Sequence, residues 1–79
     1  MLRKQLREVL TVIRDLDKFN GGIYDVIIYE HFRHLPKEET NYSLNELLIN
    51  GCIAEGVKST VVKFRLFHIT KEGLQKLSN

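Results

Sequence analysis

A single cysteine, Cys52, leaves this chain no internal disulfide, so a reducing compartment, by default the cytoplasm, is expected. No apolar run approaches the roughly 20 residues that a helix needs to cross a bilayer. Met1 is followed by charge instead of the apolar core of a signal peptide. Internal repeats and low-complexity tracts are absent. Gly21-Gly22 has none of the flanking pattern of a phosphate-binding loop. Ser43 and Ser59 stand in no nucleophile motif, no carboxylate pair is marked by its surroundings, and no cofactor motif is present. With 79 residues there is little room for a closed pocket, and an enzyme is not expected. Charge of one sign is also scarce. Twelve Lys and Arg against ten Asp and Glu leave +2, far from the footprint of a strongly basic nucleic-acid-binding domain.

What is present suits one small folded domain over residues 1–79, since 43% of residues are apolar and 28% charged. Leu2, Leu6, Val9, Leu10, Ile13 and Leu16 recur at helical spacing over about four turns. Asn20-Gly21-Gly22 can end that helix, because these residues tolerate positive φ. Residues 23–35 read as a second helix, although their β-branched and aromatic content also permits a strand through Tyr29. Pro36 closes the segment, and residues 37–39 form a polar connector. Thr40 or Asn41 can then cap a third helix carrying Leu44, Leu47 and Leu48, with Asn50-Gly51 as its stop. A short strand at residues 52–54, a turn at residues 55–60 and a long strand at residues 61–69 follow. Thr70 can cap a last helix bearing Leu74 and Leu77. Gly73 lies in that helix's first turn, where close packing against the sheet would explain it. Leu44, Leu47, Leu48 and Ile53 are expected to be buried together with Ile13 and Leu74.

Leu44-x-x-Leu47-Leu48-x-x-Gly51-x-Ile53 and Phe67-x-Ile69-Thr70-x-x-Gly73-x-x-x-Leu77 carry a resemblance to the winged helix-turn-helix superfamily. The second piece is similar to the Tyr-x-Leu-Thr-x-x-Gly ending common in bacterial, archaeal and phage regulators of that group. The resemblance implies an α+β fold of three helices, a two-stranded wing and a closing helix. It also implies binding to double-stranded DNA, as a transcription-related regulator of a microbe or one of its viruses. Residues 40–50 match the recognition helix yet contain no Lys or Arg. Asn45 could read adenine bidentately, while Asn41, Tyr42 and Ser43 could reach phosphates or sugars. Lys58, Lys63 and Arg65 of the hairpin would lie over the phosphate backbone. Glu46 would repel it.

An alternative partner is a protein, met by Tyr42, Ile49 and the hairpin. The long strand places Val62, Phe64 and Leu66 on one side and Phe67 and Ile69 on the other, so either a bulge or a second subunit should cover the surplus. A homodimer is the form this suggests. His31 and His34 share a helix face, but no second pair with ligand spacing accompanies them, and no metal site is expected. Cys52 should face the core as a small hydrophobe.

Overall fold

The computed structural model describes residues 2–17, 21–56 and 63–78. Helix α1 (Lys4–Leu16) buries Leu6, Val9, Leu10 and Ile13, the stripe that the spacing predicts. It ends at Asp17, whose carboxylate accepts from the backbone N–H of Gly22 at 2.9 Å and of Ile69 at 3.2 Å. A buried acid is thereby satisfied by two backbone donors, and it ties the helix end to the sheet.

Residues 23–35 do not form one helix. Ile23 and Tyr24 are extended as strand β1 (Ile23–Tyr24), and α2 (Asp25–His31) follows directly, shorter than expected. The reason is tertiary. Ile23 and Tyr24 pair antiparallel with Phe67 and Leu66, and the Asp25 N–H donates to the Arg65 carbonyl at 2.9 Å. The sheet therefore has three strands, not two, in the order β1-β3-β2, with β2 (Ile53–Glu55) and β3 (Leu66–Ile69) also antiparallel.

Helix α3 (Lys37–Ile49) starts one turn earlier than a cap at Thr40 or Asn41 would allow. Pro36 stands at its N-cap without a side-chain bond, and Glu38 and Glu39 occupy the first turn, where carboxylates oppose the helix dipole. Thr40 is buried within the helix instead of capping it. Gly51, at φ 75°, supplies the stop.

Leu44, Leu47, Ile53 and Ile13 join one apolar cluster with Ile28, Phe32 and Phe67, and Leu48 packs at its margin. Leu74 is 44% exposed and lies outside it, while Leu77, one turn on, packs against it. Helix α4 (Lys71–Ser78) is capped as expected, the Thr70 hydroxyl accepting from the Gly73 N–H at 3.1 Å and donating to the Gly51 carbonyl at 2.6 Å. At its far end Arg7 of α1 donates to the carbonyls of Lys76 and Leu77 at 3.2 and 2.9 Å, a cation set at a helix C-terminus.

Among the described residues, Phe64 of the long segment is 48% exposed, and the apolar groups that follow divide across the two faces of β3. Regular strand begins at Leu66, and Phe67 faces the core. On the opposite face Leu66 and His68 lie over Gly22 and Gly56, where a Cβ would approach their side-chain atoms to 3.0 Å or less. Residues 61 and 62 of the expected strand fall outside the described residues. Among those described, no helix is long and apolar enough to cross a membrane.

Candidate nucleic-acid interface

Helix α3 presents its surface at the junction of three elements. One side packs Leu44 and Leu47 into the core. The opposite side carries Tyr42, Asn45 and Ile49, spaced by three and four residues, and leaves Ile49 83% and Tyr42 59% exposed. On the flank toward α1, Arg3 pairs with Glu46 at 2.9 Å, and a shallow cleft of about 360 Å³ is lined by Arg3, Glu38, Glu39 and Tyr42.

On the other flank stands Arg65, just before β3. Its Nε and Nη2 donate to the Glu55 carboxylate at 3.0 and 3.1 Å. Its guanidinium lies over the Phe67 ring, 4.9 Å from the centroid. Nη1 and Nη2 also reach Oδ1 of Asn41 at 3.3 Å and Oδ1 of Asn45 at 3.4 Å. The Glu55 hydrogen bond, more than any other influence, holds the guanidinium above its ordinary range. Tyr29 of α2 donates to the same Asn41 oxygen at 3.1 Å. Burial, then the nearby Asp25 carboxylate, pushes that phenol up and keeps it a donor. Lys37 sits over the Tyr29 ring at 5.0 Å and, with Lys63 and Phe64, lines a second open cleft of about 390 Å³ between α2 and the hairpin.

No protein-family model matches this chain, and no curated protein matches it by sequence. Solved structures do match it in shape. A point mutant of MepR from Staphylococcus aureus, bound to an oligodeoxyribonucleotide, superposes with TM-score 0.83 at 12% identity, over 98% of this chain and 54% of that one. The PcaV transcriptional regulator of Streptomyces coelicolor, in complex with its natural ligand, gives 0.79 at 17% identity, over 98% and 51%. A protein of Ralstonia eutropha proposed to bind DNA gives 0.74 at 21% identity, over 99% and 95%. This chain has the winged helix-turn-helix fold. It spans about half the length of the PcaV and MepR chains.

In this fold α2 and α3 are the helix pair, and the antiparallel strands β2 and β3 follow it. Arg65 is brought to Asn41 and Asn45, Tyr42 lies exposed on the flank toward α1, and Lys63 lies exposed in the cleft with Tyr29 and Lys37; Asn41 is half-buried. Ser43 is 2% exposed and turned toward the core, so its side chain takes no part in that surface. Lys58 lies outside the described residues. Tyr29, Lys37 and Glu55 escaped the sequence reading although they complete the arrangement. The spacing held a signal for Glu55: once β2 and β3 pair, Arg65 lies diagonal to it across the ladder. Cys52 is buried, as its position after the helix stop implies, and burial raises its thiol pKa. Among the described residues no three His, Cys, Asp or Glu side chains gather into a metal-sized group.

Proposed function

We propose that this chain, as one winged-helix unit over residues 1–79, binds duplex DNA as a transcription regulator. One observation carries the reading: among the described residues the outward face of α3 is left exposed at Tyr42, Asn45 and Ile49, with Arg65 on its flank and Lys37 and Lys63 lining the neighbouring cleft. Tyr42 and Asn45 would approach base edges or sugars, Asn41 would support them, and Lys58, Lys63 and Arg65 would follow the phosphate backbone. The MepR chain bound to an oligodeoxyribonucleotide supports the reading through fold alone. Binding should weaken steeply with salt, and Lys63→Ala should lower the slope of log affinity against log salt by about one unit. Fluorescence anisotropy on mixed duplexes is the measurement. No binding at about 50 mM salt, where phosphate contacts are strong, would end the proposal.

A protein partner is the second reading. Exposed Ile49 and Tyr42 favour it, as do the Arg3–Glu46 and Arg65–Glu55 pairs, which neutralise two arginines beside α3. Self-association belongs to the proposal as well. Tyr24, Val26, Ile27 and Phe64 are exposed apolar groups on α2 and near the hairpin, and a second copy would place two α3 helices on paired half-sites. Sedimentation equilibrium should show a mass above 9.2 kDa at micromolar protein, and a strict monomer at every concentration would remove the dimer.

A further inference from the structure

Arg65 touches Asn41 and Asn45 on successive turns of α3. A guanidinium carries donors and no acceptor, so the asparagine atom facing it in each case is the oxygen. The amide orientation is thus set by chemistry. Asn41 is fixed twice, because the Tyr29 hydroxyl donates to the same oxygen. Arg65 is itself held by both carboxylate oxygens of Glu55 and by the Phe67 ring. An asparagine reading adenine needs its own oxygen to accept from N6 while its amide donates to N7. At Asn41 both lone pairs of that oxygen are taken, by Arg65 and Tyr29, and at Asn45 Arg65 takes one and holds the oxygen toward the wing, which leaves the amide NH2 as the part of the group free to donate. Guanine presents N7 and O6 in the major groove, two acceptors and no donor.

We infer that Arg65 is a positioning residue for base specificity: by holding the side-chain oxygens of Asn41 and Asn45, it makes α3 a donor surface that selects guanine over adenine. The inference rests on the DNA reading and deepens it. It also replaces the adenine pairing that Asn45 suggests in isolation.

Selection from a randomised duplex pool tests it. The wild-type chain should enrich guanine at the position that loses its preference in Asn45→Ala, by roughly tenfold over adenine. Asn45→Asp keeps one oxygen toward Arg65 and turns the other outward as an acceptor, so the preferred base there should become cytosine, which offers its N4 donor. Arg65→Met keeps an apolar stem on Phe67 but releases both amides. Discrimination against adenine should then disappear while circular dichroism shows the fold retained. A purely structural role for Arg65 would lower affinity for all duplexes alike and leave the base preference unmoved. Should Arg65→Met fail to fold, Asn45→Asp decides alone. Adenine selected by the wild type, or guanine still selected by Asn45→Asp, overturns the inference and leaves DNA binding standing. Wild-type protein that binds no duplex overturns both.

Discussion

Gly73→Ala sets helix propensity against packing, and the structure decides which wins. Alanine is favoured over glycine inside a helix by about 0.8–1.0 kcal/mol, so propensity alone makes the change stabilising. A Cβ on Gly73, however, would overlap the carbonyl oxygen of Cys52 and stand 3.0 Å from Ile69 Cγ1 and 3.1 Å from the Cys52 carbonyl carbon. The obstacle is backbone, which cannot rotate aside as a side chain can. The same carbonyl accepts from the Thr70 N–H at 3.1 Å, so withdrawing α4 from the Gly51–Cys52 backbone strains that bond and the Thr70 hydroxyl bond to Gly51 together. Overpacking of this kind costs about 1–3 kcal/mol, and a weakened hydrogen bond adds roughly 0.5–1.5 kcal/mol. Against the propensity gain, the net should be about 1–3 kcal/mol destabilising. For a chain of this size each kcal/mol moves Tm by about 4–8 °C, so a fall of roughly 5–20 °C is expected. Thermal melting and urea titration followed by circular dichroism give the number, with Gln75→Ala, exposed on the same helix, as the propensity control. A Gly73→Ala midpoint equal to or above the parent would refute the packing argument.

Two further outcomes follow from burial. Leu47 has no exposed surface, and Leu47→Ala should cost about 2–5 kcal/mol, a large part of the stability of so small a domain; an unchanged melting midpoint would contradict its place in the core. Burial raises the Cys52 thiol pKa, with Lys76 and Glu72 as opposing smaller influences, so this stabilising contribution is intact below the unfolded thiol pKa of about 8.5 and is lost as pH rises through the higher folded value. Accordingly Cys52 should resist a thiol reagent near pH 8 until urea unfolds the chain, and rapid labelling of the native protein would count against it.

Local signals were legible wherever the chain's own chemistry sets the geometry. The apolar spacing of α1, the Gly51 stop and the Thr70 cap each need only neighbours within a turn or two, and each stands where the sequence puts it. Even Gly73 announced a close approach, because a glycine that costs helix propensity usually makes room for something. The winged helix-turn-helix resemblance rested on the Leu44 to Ile53 and Phe67 to Leu77 patterns, which contain Gly51, Thr70 and Gly73.

Tertiary structure decided the rest. Ile23 and Tyr24 are equally at home in a helix, and they are a strand because β3 offers them hydrogen-bond partners far along the chain. Thr40 and Ser43 look like a cap and a phosphate ligand, yet both side chains face inward, because α3 begins at Lys37 and its rotation follows from burying Leu44 and Leu47. Leu74 reads as core by its spacing, but Gly73 is the residue of α4 that lies against the Cys52 backbone and Ile69 of β3, and Leu74 is left toward solvent. Most of all, Arg65 counts as one more wing cation in the sequence, whereas the fold pairs it with Glu55, stacks it on Phe67 and turns two asparagines of α3. Composition shows which groups a chain has. Which of them are already satisfied by one another depends on strand register and helix rotation, and these are set only when distant segments share one core.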